Sequence, residues 1–110
     1  MEFDQIIHQP IRLKIMSALA TLPESERVDF SMLRKHLGVT DGNLGAHLRR
    51  LSSARYIEVI KQFVDGTPRT GIRASPLGRR AFLDHVRALE EIIRGPAALA
   101  ARSPESHSEV

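Results

Sequence analysis

The chain opens with a helical pattern in which apolar residues recur every three or four positions. The pattern follows Pro10, and proline suits the first turn of a helix because its missing N–H is not needed there. The apolar stripe comprises Ile11, Ile15, Ala18, Leu19 and Leu22. We expect a helix that ends near Pro23, preceded by a small apolar patch of Phe3, Ile6 and Ile7.

Two further helical segments follow with only a short turn between them. Asp29 is suited to cap a short helix that Gly38 would end. Thr40 or Asp41 would cap the next helix, over about 40–54. This second segment carries a leucine stripe at Leu44, Leu48 and Leu51. Two helices joined by a turn of three or four residues that contains glycine form a helix-turn-helix motif.

After Arg55 the periodicity changes from that of a helix to that of a strand. The segment YIEVIKQFV alternates and is rich in β-branched and aromatic side chains. DGTP supplies a turn, after which RTGIRA can return as a second strand. The pattern therefore predicts a β-hairpin over about 56–74.

The last periodic segment begins at Ser75 and Pro76, a helix cap followed by proline in the first turn. It predicts a helix of roughly 19 residues, which ends where glycine and proline follow Arg94. The final residues are polar and aperiodic, which is typical of disordered tails. We expect one domain over 1–95 and a disordered tail over 96–110.

Charge is distributed unevenly along these elements. Residues 34–80 hold ten lysines and arginines against three acids, a local charge of +7, whereas the rest of the chain carries −4. A basic middle between acidic ends is what a polyanion-binding surface needs. The alternative is a solvated surface whose charges happen to be unevenly placed.

Composition excludes several classes of function. The chain has no cysteine, which removes disulfides, thiolate metal sites and cysteine nucleophiles. The five histidines are scattered, and no nucleophile–base pairing, phosphate loop or carboxylate pair is recognisable. We therefore expect no metal, no cofactor and no enzymatic activity.

No apolar run reaches the ~18 residues of a membrane span, and the N-terminus lacks the basic region of a signal peptide, which favours a cytoplasmic protein.

Two glycines occupy the first turns of the second helix of the motif. Gly42 and Gly45 should each cost a helix about 1 kcal/mol relative to alanine. On a helical wheel, Gly42, Ala46 and Arg49 lie opposite the leucine stripe, and Gly45 lies at the border of their face. A face that is small and then basic suits close approach to a DNA groove. The alternative is that the glycines permit tight helix packing, which the wheel disfavours for Gly42 and leaves open for Gly45.

In this order of elements the chain resembles the winged helix-turn-helix transcriptional regulators of the MarR/ArsR-like superfamily, especially small single-domain prokaryotic ones. HQPIRLKIMSAL, DFSMLRKHLGVTDGNLGAHLRRL and YIEVIKQFVDGTPRTGIRASPLGRRAF carry the resemblance, which covers about residues 6–94. It implies a mainly α fold with a small β-hairpin wing and an additional long C-terminal helix. It also implies a recognition helix over about 40–54 in the major groove, with the wing over about 56–74 on the backbone or minor groove.

We therefore expect a sequence-specific transcriptional regulator that binds double-stranded DNA. The expected DNA contacts are Ser31, Arg34, Lys35, Thr40, Asp41, Gly42, Asn43, Gly45, Ala46, Arg49, Arg50, Lys61, Arg69 and Arg73. Asn43 suits an adenine edge, and Arg49 or Arg50 suits guanine or phosphate. The alternative is a winged helix that serves as a protein-interaction module within a larger assembly.

Apolar residues near both ends of the chain exceed what one domain of this size requires. They are Phe3, Ile6, Ile7, Phe82, Val86, Leu89, Ile92 and Ile93. In the family that the chain resembles, terminal helices of this sort pair two subunits, so we expect a homodimer with these residues at its interface. The alternative is that the two apolar patches cover each other within one chain.

Overall fold

The structure, a computed structural model, describes the backbone of residues 3–101 and the side chains of residues 3–95. Its elements follow in the order α1 (Gln5–His8), α2 (Pro10–Ala20), β1 (Val28–Asp29), α3 (Phe30–Leu37), α4 (Asp41–Ser53), β2 (Ile57–Val64), β3 (Thr67–Ala74) and α5 (Pro76–Ala101). The fold is a winged helix-turn-helix with an additional C-terminal helix. The fold class expected from the sequence is confirmed.

Capping side chains fix the ends of α3 and α4. The Asp29 carboxylate accepts hydrogen bonds from two backbone N–H groups in the first turn of α3. Gly38 ends that helix in the left-handed conformation, with φ of 67°. The Thr40 hydroxyl accepts a hydrogen bond from the Asn43 N–H at 3.1 Å, so that α4 begins at Asp41. The sequence pattern located these caps correctly.

The three strands form one antiparallel sheet in the order β1-β3-β2. The hairpin turns at Asp65 and Gly66, whose φ values of 52° and 77° are those of a two-residue type I′ turn. Its register begins with the pair Val64 and Thr67 beside the turn. The predicted hairpin is confirmed, whereas β1 escaped prediction because two residues are too few to show alternation.

A single hydrophobic core lies between the helices and the sheet. The leucine stripe of α4 is buried as predicted, since Leu44, Leu48 and Leu51 are at most 5% exposed. Met16 of α2 and Ile72 of β3 are fully buried in the same cluster. Because α4 is anchored through one face alone, its opposite face is free to meet another molecule.

The N-terminal apolar patch packs on its own domain. Ile7 is completely buried in the core, so its expected place in a dimer interface is wrong. The Phe3 ring stacks on His8 with centroids 4.5 Å apart and meets His85 edge-on at 5.3 Å. Ile6 packs, half-buried, against the core. Cover within one chain, the alternative expectation, therefore holds for Ile7, whereas Phe3 and Ile6 remain half-exposed.

A partly buried polar cluster joins the N-terminal segment to α5 and to the start of the wing. It consists of Asp4, His8, Tyr56 and His85. The Tyr56 hydroxyl donates to the Asp4 carboxylate, the Asp4 N–H donates to His85 Nδ1 at 3.3 Å, and His85 Nε2 lies 3.3 Å from His8 Nδ1. Burial lowers the pKa of His85, and burial together with the bond to Asp4 raises the pKa of Tyr56 to about 12. Both shifts keep the two rings uncharged near neutral pH, which preserves the cluster.

The C-terminal helix is longer than the sequence predicted. α5 runs on to Ala101, past Gly95 and Pro96, so the predicted end at that pair is wrong and residues 96–101 of the expected tail are helical. Proline disfavours helix partly by crowding the Cβ of the residue before it, and glycine has no Cβ to crowd. The rest of the expected tail, 102–110, lies outside the described residues. Within residues 3–101, no helix has both the length and the apolar character needed to cross a membrane.

Candidate nucleic-acid interface

The outward face of α4 carries almost no bulk in its first turns. Gly42, Asn43 and Ala46 are exposed, on the side opposite the buried Leu44 and Leu48. A Cβ built on Gly42 would meet no heavy atom within 4 Å. Since nothing in the domain needs a glycine at this position, the helix-packing interpretation is wrong for Gly42.

Gly45 lies at the border of the same face, and its neighbourhood is also open. A Cβ built there would meet only the guanidinium of Arg49, at 3.4 Å. No other helix comes close, so the packing interpretation that the sequence left open for Gly45 is also wrong. The glycine leaves room for the Arg49 side chain along the helix.

An ion pair crosses the turn between α3 and α4. Arg34 Nε lies 2.9 Å from Asp41 Oδ1, and Arg34 NH1 reaches the Val39 carbonyl oxygen at 3.5 Å. Arg34 thereby offsets the charge of Asp41, the one acidic residue in the first turn of α4, which would otherwise repel a phosphate. The Asp41 side chain is 79% exposed, and such exposed pairs contribute about 0–1 kcal/mol. Arg34 can therefore exchange Asp41 for another anion at little cost.

An open groove of about 370 Å³ separates α4 from the wing. Its floor is apolar, with Phe30, Leu48 and Val59, and its rim carries Arg49 and Lys61. The groove brings one basic residue of the helix and one of the wing to the same opening. The sequence predicted α4 and the wing as separate basic elements, and the structure brings them together into one basic surface.

The two arginines of β3 have different surroundings. Arg69 stands near the tip of the wing, with NH1 3.7 Å from Asp29 Oδ1. Arg73 lies at the base, opposite Glu58 in register, and its Nε lies 2.6 Å from the Glu58 carboxylate. Arg73, one of the expected DNA contacts, therefore lies far from the tip of the wing and beside a carboxylate.

The remaining expected contacts are exposed side chains of the motif: Ser31, Lys35, Thr40 and Arg50. The Thr40 oxygen accepts the capping bond, which leaves its O–H free to donate to a phosphate. Together with Arg34 and the wing, these residues can supply positive charge and hydrogen-bond donors around α4.

A contact that positions α4 was missed at the sequence level. Arg12 donates through Nε to the Ile6 carbonyl, and its NH1 lies 3.1 Å from Nδ1 of His47 in α4. Burial, followed by the charge of Arg12, lowers the pKa of His47, so the ring stays neutral and can accept this bond. Arg12, which belongs to α2, thus connects α4 to α1. No spacing rule could have revealed it, because the partners are 35 positions apart.

The apolar residues of α5 differ in exposure. Phe82 packs against the core, and the helix face that enters the domain carries His85 and Ala88. Farther along, Ile92 and Ile93 are 59% and 73% exposed. Of the residues of α5 expected at a dimer interface, Ile92 and Ile93 are exposed, whereas Phe82, Val86 and Leu89 are half-buried.

Comparison with known proteins agrees with this geometry. Residues 11–93 match the family model described as "Winged helix DNA-binding domain". An uncharacterised protein of Methanocaldococcus jannaschii is 33% identical over 82 residues, which cover 74% of this chain and 86% of that protein. The structure of a transcriptional regulator homologue from Pyrococcus horikoshii has a TM-score of 0.76 and 29% identity, covering 84% of this chain and 88% of that one. The ytfH protein of Salmonella typhimurium shares the fold, with a TM-score of 0.65 at 21% identity, and the match covers 89% and 85% of the two chains.

Proposed function

The chain belongs to the winged helix DNA-binding domain family, and from that premise we propose that it regulates transcription by binding specific sequences of double-stranded DNA. The observation that carries the proposal is the outward face of α4, where Gly42 and Ala46 precede Arg49 and Arg50. A face that only meets water normally carries long polar side chains. A face that is small and then basic lets the backbone approach base edges while guanidinium groups reach guanine or phosphate.

In the proposed complex, α4 lies in the major groove. Asn43, Arg49 and Arg50 contact bases from its exposed side, and Gly42, Gly45 and Ala46 give the groove access to the backbone. Positioning contacts to phosphate come from both helices of the motif and from the wing: Ser31, Arg34, Lys35, Thr40, Lys61 and Arg69. Asp41 stays paired with Arg34 or releases it to a phosphate. Arg73 is left out of the proposed set because the hairpin register puts it at the base of the wing, far from the tip.

The test is an affinity measurement over a salt series, with a duplex selected from a random pool and a scrambled duplex as control. Arg49→Ala should lower the affinity for the selected duplex by about 5- to 150-fold, since a base contact is worth about 1–3 kcal/mol. It should leave the affinity for the scrambled duplex nearly unchanged.

Lys35→Ala is the matched control, because Lys35 is exposed on α3 and would contact only phosphate. It should weaken binding to both duplexes alike and reduce the salt slope by about one. Failure to select any preferred duplex, or an Arg49→Ala variant with undiminished preference, would contradict the proposal.

We also propose that two copies pair through the distal half of α5. The helix is 26 residues long, which is about 39 Å at 1.5 Å per residue. Its exposed Ile92 and Ile93 give that half an apolar surface that a second copy of the same helix can cover. Such a dimer would present two α4 helices about 34 Å apart, one turn of DNA, and would favour a pseudo-palindromic site.

Ile93→Asp should convert the dimer into a monomer, because burying an unpaired carboxylate in an apolar interface is costly. Light scattering at micromolar concentration measures the mass. Leu77→Asp is the matched control, since Leu77 is also exposed but lies at the opposite end of α5. A wild-type chain that is already monomeric, or an Ile93→Asp variant that stays dimeric, would overturn the pairing.

The proposed role includes no enzymatic step and no cofactor. We place the protein in the cytoplasm, where a regulator of prokaryotic type meets the chromosome. The three matching proteins described above all come from prokaryotes, which supports that assignment.

A further inference from the structure

An aromatic side chain stands almost fully in solvent near the tip of the wing. Phe63 is 74% exposed, more than any other large apolar side chain in the described part of the chain. Its register partner is Pro68, and only the pair Val64 and Thr67 separates it from the turn. Leaving a phenylalanine in water forgoes about 1.5–3 kcal/mol of burial. The fold of the domain gives no reason for it.

The register shows which side of the wing this residue occupies. Successive side chains of a strand point to opposite faces, so Phe63 shares its face with Lys61 two positions earlier. Lys61 and its partner Thr70 line the groove between the wing and α4, together with Arg49. Phe63 therefore lies on the groove side of the wing, about 7 Å beyond Lys61 toward the tip.

We propose that Phe63, together with its cross-strand partner Pro68, forms an apolar wedge. The wedge enters the minor groove of the duplex bound by α4 and partly unstacks one base step. The inference rests on the proposed DNA binding. Apolar side chains inserted in this way kink a duplex by about 20–90°. Lys61 on the same face and Arg69 near the tip supply positive charge for the phosphates on either side of the groove.

The wedge adds a source of sequence preference that contacts no base edge. Pyrimidine–purine steps such as TA and CA unstack most easily, so a wedge favours them where the wing meets the duplex. The selected duplexes should carry such a step at a fixed distance from the bases that α4 contacts.

The test compares Phe63→Ala with Val64→Ala in the full chain. Val64 is 44% exposed and is the next residue of the same strand, on the opposite face, which makes it the matched control. Affinity for the selected duplex is measured alongside its bend, from energy transfer between dyes on the two duplex ends. Phe63→Ala should abolish most of the bend and lower affinity about tenfold or more, whereas Val64→Ala should match the wild type. Phe63→Leu, which keeps an apolar wedge, should restore part of the bend.

The outcomes separate this inference from the proposed function. A wild-type chain that prefers no duplex overturns both. A wild type that binds its duplex specifically, with Phe63→Ala bending and binding as Val64→Ala does, overturns the wedge and leaves the proposed function standing. A Phe63→Ala variant that changes the mass in light scattering and leaves the bend unchanged shows that Phe63 meets a second copy, which also overturns the wedge.

Discussion

A Gly42→Leu variant should keep its fold and lose specific DNA binding by about 100-fold or more. The space around Gly42 is open, so the leucine side chain causes no clash within the domain. Leucine should also raise helix stability, by up to about 1 kcal/mol. The same side chain would hold α4 away from the base edges. Losing one or two contacts of about 1–3 kcal/mol each gives the expected factor.

Thermal melting and fluorescence anisotropy with the selected duplex measure the two effects separately. Gly42→Ala is the control, because alanine has at least the helix propensity of leucine but a side chain of only one methyl group. It should melt at or above the wild-type temperature and retain most of its affinity. A Gly42→Leu variant that binds normally would show that the outward face of α4 is not the DNA-binding face.

Gly78→Ala should destabilise the fold by about 2–4 kcal/mol, at the upper end of what overpacking usually costs. Gly78 lies where the first turn of α5 crosses the backbone of Tyr56. A Cβ at this position would overlap the Tyr56 carbonyl oxygen and lie 2.7 Å from its carbon. The obstacle is backbone and cannot rotate away. The Gly78 N–H also donates to Ser75 Oγ at 2.9 Å, and the Ser75 N–H donates to the Tyr56 carbonyl at 3.0 Å, so the junction is tightly constrained.

Urea unfolding measures this loss as a lower midpoint at an unchanged slope. Gly42→Ala again serves as the comparison, since it is the same chemical change in another helix with open space around it. The two variants should shift stability in opposite directions. An equally stable Gly78→Ala protein would mean that α5 lies farther from the Tyr56 backbone than the structure places it.

Local patterns were enough to predict most of the fold. The cap at Asp29, the leucine stripe of α4 and the β-hairpin each depend on a few neighbouring residues, and each is confirmed; of the two candidate caps for α4, the structure selects Thr40. The end of α5 was mispredicted because the effect of Pro96 depends on the residue before it, and Gly95 relieves part of the crowding.

Contacts between distant residues could not be predicted in the same way. Nothing in the spacing of Asp4, Tyr56 and His85 indicates that they meet. An apolar residue such as Ile7 is expected to be buried, but the sequence does not show whether it is buried by its own chain or by a partner. The outward face of α4 was predictable from the wheel. The ion pair that holds Arg73 at the base of the wing depends on a register that no single strand reveals.

The division of α4 into two faces has a consequence for how such a protein can change over generations. Leu44 and Leu51 hold the helix in place and are fully buried, on the side away from the outward face. If the outward face of α4 binds DNA as proposed, substitutions at the exposed Ala46 or Arg49 would change the preferred operator without weakening the core. Under that proposal, a duplicated gene encoding this domain would acquire a new target one residue at a time, with every intermediate still folded.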